Sequence, residues 1–102
     1  MKSLYDICEA IANVVTGLDC GDIDFNYDNL ASAMKVGHPA EILDGMSFEM
    51  HEELFLNRDA VINRSRVEEL TKDLKRFRRS FKVKEVSPII KDLEQYLKET
   101  EA

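Results

Sequence analysis

The sequence predicts a mainly α-helical protein, a small helical bundle whose C-terminal part is an antiparallel helical hairpin. Three observations predict it: apolar residues recur every three or four positions, helix start and stop signals flank these segments, and only 4 glycines and 2 prolines interrupt 102 residues. An apolar fraction of 44% beside 33% charged residues is typical of a globular chain. Because this length suits one domain, we interpret residues 1–102 as a single helical domain.

The first predicted helix follows Ser3, which forms a capping-box pattern with Asp6 three residues later. Its apolar stripe has helical spacing and consists of Leu4, Ile7, Cys8, Ile11, Val14 and Val15. Glycine favours a helix end, so we expect this helix to stop near Gly17. The position of Cys8 in the stripe predicts a small core side chain rather than a reactive thiol.

Polar and apolar residues alternate over residues 22–28, which is the period of an extended segment. A similar alternation occurs in residues 81–84, so the sequence allows a short two-stranded ribbon of residues 22–28 with 81–84. Opposite charges would then face each other across the ladder, with Asp22, Asp24 and Asp28 on one side and Lys82 and Lys84 on the other.

The middle of the chain predicts two short helices followed by a longer one. Start signals at Asp28 and Pro39 and stop signals at Gly37 and Gly45 each enclose about two turns. Ser47 can cap the longer helix, whose apolar residues are Phe48, Met50, Leu54, Phe55, Val61 and Ile62. We expect a break or kink between residues 57 and 65, although residues 48–79 could also form one helix, and Ser65 begins a capping-box pattern.

The C-terminal segments carry the strongest helical pattern. One apolar face consists of Val67, Leu70, Leu74, Phe77 and Phe81, and the next of Val86, Ile89, Ile90, Leu93, Tyr96 and Leu97. Ser87 and Pro88 are a start signal for the second helix. Two matching faces joined by about seven residues predict an antiparallel hairpin. Either the N-terminal helices or a second copy of the chain would cover this hairpin, so a homodimer remains open.

Charge is divided unevenly along the chain. Residues 1–56 carry 2 basic and 11 acidic side chains, and residues 57–102 carry 12 and 9. Within the basic helix 66–84, the side opposite the apolar face carries Lys72, Lys75, Arg76 and Arg79, which we call the basic stripe. Such a stripe suits an acidic protein or nucleic-acid phosphates, but a solvated or self-paired helix face would look the same.

The motifs do not predict a catalytic, metal or cofactor site. The first four ligand positions of a calcium loop are matched by Asp22, Asp24, Asn26 and Asp28. That match fails because Tyr27 replaces the required glycine and Ala33 replaces the closing glutamate. His38 and His51 lack metal-ligand spacing, and the glycines form neither a phosphate loop nor a nucleophile elbow. We therefore expect a protein that is not an enzyme and that needs no cofactor.

The segment from Ala33 through Gly37 to Leu43 and Met46 resembles a helix-turn-helix, with a small residue, a glycine four positions later and apolar anchors on a second helix. Its recognition helix would be residues 39–44. Those residues carry two carboxylates and no Arg, Lys, Asn or Gln to read bases. Packing of short helices therefore explains the segment better than DNA reading.

The resulting hypothesis is a small non-enzymatic protein–protein interaction module, an adaptor or an inhibitor of the immunity or antitoxin type, that acts through charged helical surfaces. Its acidic half would suit a basic groove on a partner. The alternative is a nucleic-acid-binding regulator that uses helix 66–84. The predicted partner-binding residues are Lys72, Lys75, Arg76, Arg79, Asp22, Asp24 and Asp28. Two cysteines and no apolar run near ~20 residues predict a cytoplasmic protein without a membrane partner.

Overall fold

The protein forms four helices in the described part of its computed structural model, which covers residues 2–26 and 37–100. They are α1 (Leu4–Cys20), α2 (Pro39–Leu56), α3 (Arg64–Phe81) and α4 (Val86–Glu99). The predicted all-α helical fold is therefore confirmed. Of these helices, none combines the length and the apolarity that crossing a bilayer requires.

The first three helices run alternately up and down. The ring of Tyr5, at the start of α1, lies edge-on against the ring of His51 near the end of α2, with 5.5 Å between the centroids. Glu53, in the last turn of α2, pairs with Arg66 at the start of α3, and 2.8 Å separates Oε2 from Nη2. The end of α2 therefore lies beside the starts of both α1 and α3.

Helices α3 and α4 form the predicted antiparallel hairpin. At one end, Arg64 Nη1 donates to the carbonyl of Leu97 at 2.9 Å, and at the other, Arg78 Nη1 donates to Ser87 Oγ at 3.3 Å. The connection is residues 82–85, which is shorter than predicted because α4 begins at Val86, before the Ser-Pro start signal. Ser87 instead receives the Arg78 hydrogen bond.

The bundle closes where α4 packs back on α1. Lys2 Nζ lies 3.1 Å from Asp92 Oδ2 across this seam. The core receives large buried side chains from every helix, among them Ile7, Ile11, Leu18, Leu43, Leu74, Phe77 and Leu93. Each such side chain stabilises the fold by about 1.5–3 kcal/mol when fully buried. Helices α1 and α2 of the same chain thus cover the hairpin, and its apolar face needs no second copy.

Local capping explains where α1 and α2 begin. Ser3 Oγ accepts a hydrogen bond from the Asp6 N–H at 3.1 Å, which confirms the predicted cap. His38 Nδ1 accepts from the Ala40 N–H at 3.0 Å, immediately before the helix. A ring nitrogen thus supplies the acceptor that Asn or Asp supplies at many helix starts.

The predicted break between residues 57 and 65 is confirmed, because α2 ends at Leu56 and α3 begins at Arg64. The cap of α3 is Asn63, whose Oδ1 accepts from the Ser65 N–H at 2.9 Å. It lies two residues before the serine that the capping-box pattern indicated. Ser65 also donates its hydroxyl to Asn63 Oδ1, at 2.8 Å.

The predicted helix boundary at Gly45 and Ser47 is wrong, because both residues lie inside α2. The helix continues because one buried face runs through them and consists of Ala40, Leu43, Ser47, Met50 and Leu54. A glycine in a helix interior costs about 1 kcal/mol relative to alanine, which is less than this burial contributes.

Gly17 is a second glycine that does not end its helix. Helix α1 continues to Cys20 and ends before Gly21, whose φ is +83°. A Cβ added at Gly17 would lie 2.5 Å from Ile23 Cδ1, so glycine leaves the space that the isoleucine side chain occupies. The Ile23 N–H also donates to the Gly17 carbonyl at 3.0 Å.

The two-stranded ribbon is absent from the described residues. Residues 22–26 make one backbone hydrogen bond to the predicted partner segment, from the Asn26 N–H to the Phe81 carbonyl at 2.8 Å. Phe81 instead belongs to α3, and Lys82 ends that helix with a left-handed φ of 57°. The rest of the ribbon, with Asp28 and the short helix predicted after it, lies outside the described residues.

The helix-turn-helix resemblance gains no support from α2. Residues 39–44, its predicted second helix, are the first turns of an 18-residue helix rather than a separate short one. The helix predicted before it, which would contain Ala33, falls outside the part of the chain that the structure describes. The resemblance therefore carries no argument about DNA.

Two glycine-to-alanine substitutions are expected to change stability in opposite directions. Gly21→Ala should lower the free energy of unfolding by about 1 kcal/mol, because φ +83° is unfavourable for a residue with a Cβ. Gly45→Ala should raise it by about 0.5–1 kcal/mol, because the residue is helical and an added Cβ meets nothing within 4 Å. Urea denaturation followed by circular dichroism measures both. If both substitutions changed the free energy of unfolding in the same direction, the backbone conformations described for Gly21 and Gly45 would be contradicted.

Candidate protein interface

The basic stripe predicted from the sequence is partly paired within the molecule. Lys75 is half-buried, and its Nζ lies 3.2 Å from Glu94 Oε2 on α4. Arg76 Nη1 lies 3.8 Å from Asp73 Oδ1, one turn earlier on α3. Exposed pairs of this kind contribute about 0–1 kcal/mol to stability. Two of the four predicted cations therefore interact within their own hairpin.

The other two stripe residues, Lys72 and Arg79, are exposed on α3 and make no ion pair within residues 2–26 and 37–100. They remain available to an anionic partner. The large apolar side chains of α3 all point into the core, however: Val67, Leu70, Leu74, Phe77 and Phe81 are buried. The stripe is therefore a charged surface without an exposed apolar anchor.

The predicted acidic residues Asp22 and Asp24 are exposed and line a shallow groove with Lys82 and Lys84. The predicted proximity of these aspartates and lysines is therefore observed, although the segments do not pair as a ribbon. No ion pair joins the carboxylates to the lysines in the described part of the chain. The groove presents charges of both signs, whereas Asp28 lies outside the described residues.

A surface that the sequence analysis missed lies on the outer face of α2. Phe48 and Phe55 are 55% and 69% exposed, although most large apolar side chains of the bundle are buried. They lie seven residues apart, so both project from one side of the helix. With His51 and Glu52 they line an apolar depression of about 190 Å³. We call these four residues the α2 patch.

Two further apolar side chains extend the exposed surface beyond the end of α2. Leu56, the last residue of the helix, is 76% exposed, and Val61 in the following connection is 96% exposed. With Phe48 and Phe55, they are the exposed large apolar residues of the described part of the chain. All four lie within a span of 14 residues, whereas α3 and α4 expose none of this kind.

The floor of the α2 patch is held by α1. His51 is half-buried against the Tyr5 ring of α1. The same Tyr5 ring also contacts Arg58, whose guanidinium carbon lies 3.9 Å from the ring centroid. A hydrogen bond to the Glu9 carboxylate, with a contribution from desolvation, raises the pKa of Tyr5. These contacts fix the ring positions beside the patch before any partner arrives.

The charge of α2 has one sign. The helix contains Glu41, Asp44, Glu49, Glu52 and Glu53 and has neither Lys nor Arg. Glu53 is engaged by Arg66, and its hydrogen bond raises the pKa of that guanidinium, with a smaller contribution from the Glu49 charge. Glu41, Asp44 and Glu52 are exposed and form no ion pair within the described ranges. These three carboxylates therefore lie on the side of α2 that carries the patch, and Arg58 over the Tyr5 ring is a cation near the edge of the patch.

Within residues 2–26 and 37–100, the chemically reactive side chains do not assemble into a second site. Cys8 and Cys20 are both free thiols, and Cys8 is fully buried in the core as its stripe position predicted. Burial raises the pKa of Cys8 to about 11, so this thiol is protonated at neutral pH. Among the described residues, no three His, Cys, Asp or Glu side chains are close enough to share a metal ion.

Comparison of the chain with protein-family models, with curated proteins and with solved structures finds no match in any of the three. The geometry and charge of the α2 patch are therefore the basis on which a function can be inferred. A sequence signal for this patch was available. Phe48 and Met50 are two positions, or about 200°, apart on a helix and cannot share a face, so the middle segment had to present apolar residues on two sides.

Proposed function

We propose that this chain is a non-enzymatic protein–protein interaction module that docks a partner protein on the outer face of α2. The observation that carries the proposal is the exposure of Phe48 and Phe55 on one side of α2, away from the buried face that contains Leu43, Met50 and Leu54. Clustered apolar exposure of this kind marks interaction sites, and aromatic side chains commonly supply most of the binding energy there.

The proposal keeps the class of function expected from the sequence and moves the docking surface from the basic stripe to the α2 patch. An adaptor or an inhibitor of the antitoxin or immunity type would act by covering a basic functional surface with this anionic helix. Electrostatic attraction would speed such an encounter and make it sensitive to salt. Two free thiols suit a reducing compartment, and we propose a cytoplasmic location on that basis.

The alternative, a nucleic-acid-binding regulator, depends on Lys72 and Arg79, the unpaired members of the stripe. The two functions differ in what the unmodified protein binds. Our proposal expects no binding to duplex DNA or single-stranded RNA in the micromolar range at physiological salt, measured by fluorescence anisotropy. Micromolar or tighter binding that is lost in a Lys72→Glu, Arg79→Glu variant would contradict the proposal and support the regulator.

Affinity capture from nuclease-treated extract of the native cells, followed by intact-complex mass measurement, tests the docking surface. The wild-type chain and two double variants serve as bait: Phe48→Ser with Phe55→Ser, and Lys72→Glu with Arg79→Glu. We expect one protein partner in a fixed ratio with the wild type and with the stripe variant. The patch variant should retain less than about a tenth of this partner, since we expect the loss of two exposed aromatic anchors to cost at least about 1.4 kcal/mol, which is a tenfold loss of affinity.

Both double variants change side chains outside the core, so both should unfold at the wild-type temperature. A partner that is kept by the patch variant and lost by the stripe variant would place the docking surface on α3 and contradict the proposal. Absence of any protein partner from all three baits would contradict it as well.

A further inference from the structure

The shape of the α2 patch selects an elongated occupant. Phe48 and Phe55 are two helical turns apart, so their positions are separated by about 10 Å along the axis of α2. The depression between them, about 190 Å³, is smaller than the roughly 300–1,000 Å³ pockets that enclose small organic ligands. A pair of apolar side chains, delivered from one face of a second helix, fits such a ridge and depression.

The charge around the patch selects a basic occupant. Glu52 lies within the depression, between the two phenylalanines, and Asp44 lies one turn before Phe48. Neither carboxylate is used in an ion pair by the described residues. A helix with Lys or Arg beside its apolar anchors would place cations against these groups, whereas an acidic helix or a phosphate backbone would be repelled.

The described helices of a second copy do not offer such a surface. Two α2 patch faces laid together would bring Glu41, Asp44 and Glu52 of one copy against the same three carboxylates of the other, with no Lys or Arg on either helix. The basic face of α3 has cations but exposes no large apolar side chain to fit the depression. Among the described residues, the exposed large apolar side chains lie on α2 and in the connection after it, whereas the cations of the basic stripe lie on α3, so we assign the occupant to a different protein.

We infer that the α2 patch receives a basic amphipathic helix of a partner protein, which places apolar side chains between Phe48 and Phe55 and Lys or Arg beside Asp44 and Glu52. This inference rests on the proposed function and specifies the kind of partner element. Apolar contact supplies the affinity, and the carboxylates supply the preference for basic over acidic helices.

The test uses three fluorescent peptides of five helical turns, about 18 residues each. The first is an amphipathic helix of leucine and lysine, the second has glutamate in place of every lysine, and the third has the composition of the first in a scrambled order. Binding to the full chain is measured by anisotropy at low and at physiological salt. We expect the first peptide to bind at least about tenfold more tightly than either of the others.

Substitutions within the α2 patch test whether the peptide binds there. Phe48→Ser with Phe55→Ser should weaken the first peptide about tenfold or more. Asp44→Asn with Glu52→Gln should weaken it severalfold and flatten its salt dependence. The matched control, Glu85→Gln with Glu99→Gln, removes the same charge from exposed positions at the two ends of α4 and should change nothing. Backbone amide chemical shifts of the labelled protein should move in α2 and not in α3.

Equal binding of the lysine and glutamate peptides, or shift changes confined to α3, would overturn the inference. So would a patch-dependent dimer of the chain alone, detected by sedimentation, because a second copy would then be the occupant. If native capture yields a patch-dependent partner while the lysine peptide does not bind, the interaction function stands and the basic-helix inference fails. If both experiments fail, the proposed function fails with it.

Discussion

Replacing Phe77 by alanine is expected to lower the free energy of unfolding by about 3–5 kcal/mol. Phe77 is 2% exposed, and its ring centroid lies 4.9 Å from that of Phe81 in the hairpin face of the core. Removing the ring leaves a cavity between packed helices that can collapse only partly. Since small domains have a total stability of about 5–15 kcal/mol, this is a large share of the whole. The midpoint of urea denaturation measures the loss.

Phe55→Ala is the matched control, because it removes the same atoms from a side chain that is 69% exposed. Its effect on unfolding should stay within about 0.5 kcal/mol. Similar losses in the two variants would show that Phe55 is buried in solution, and the α2 patch would then belong to the core and could not receive a partner.

Ile11→Asp is expected to remove most or all of the folded population. Ile11 is fully buried in the middle of α1, where the helix covers the hairpin. The substitution loses about 1.5–3 kcal/mol of apolar burial, and the desolvation of a carboxyl group adds several kcal/mol more. The sum approaches the stability of a typical small domain. Loss of the cooperative thermal transition, followed by circular dichroism, would show the effect.

Asn13→Asp introduces the same side chain two positions later on an exposed site of α1 and should leave the transition nearly unchanged. A folded Ile11→Asp protein with the wild-type transition would mean that α1 does not cover the core. The hairpin would then need another cover, and the dimer considered from the sequence would have to be reconsidered.

The sequence was sufficient for the parts of the fold that depend on strong apolar periodicity. The hairpin of α3 and α4 follows from two matching apolar faces, and the Ser3 cap follows from local hydrogen bonding. Prediction failed where a local stop signal competed with burial. Gly45 and Ser47 look like a helix boundary, but a continuous buried stripe outweighs the cost of one interior glycine.

The candidate site could also be predicted only in part from the sequence. Sequence identifies Lys72 and Arg79 as cations but cannot show that Lys75 is paired with Glu94 across the hairpin. It also places Phe48 and Phe55 beside Met50 and Leu54 as apolar residues of one helix, and it cannot separate the exposed from the buried ones until the packing partner of each face is known. Only the arrangement of α1 against α2 shows which side of this helix remains outside.

One face of α2 carries the buried residues that stabilise the fold, and the opposite face carries residues that are exposed to solvent and to a partner. Positions 41, 44, 48, 52 and 55 are exposed, so their side chains can be exchanged while Leu43, Met50 and Leu54 keep the helix in place. Such a division lets recognition diversify without a new fold. A library randomised at those five positions would therefore be a practical starting point for selecting binders to unrelated targets.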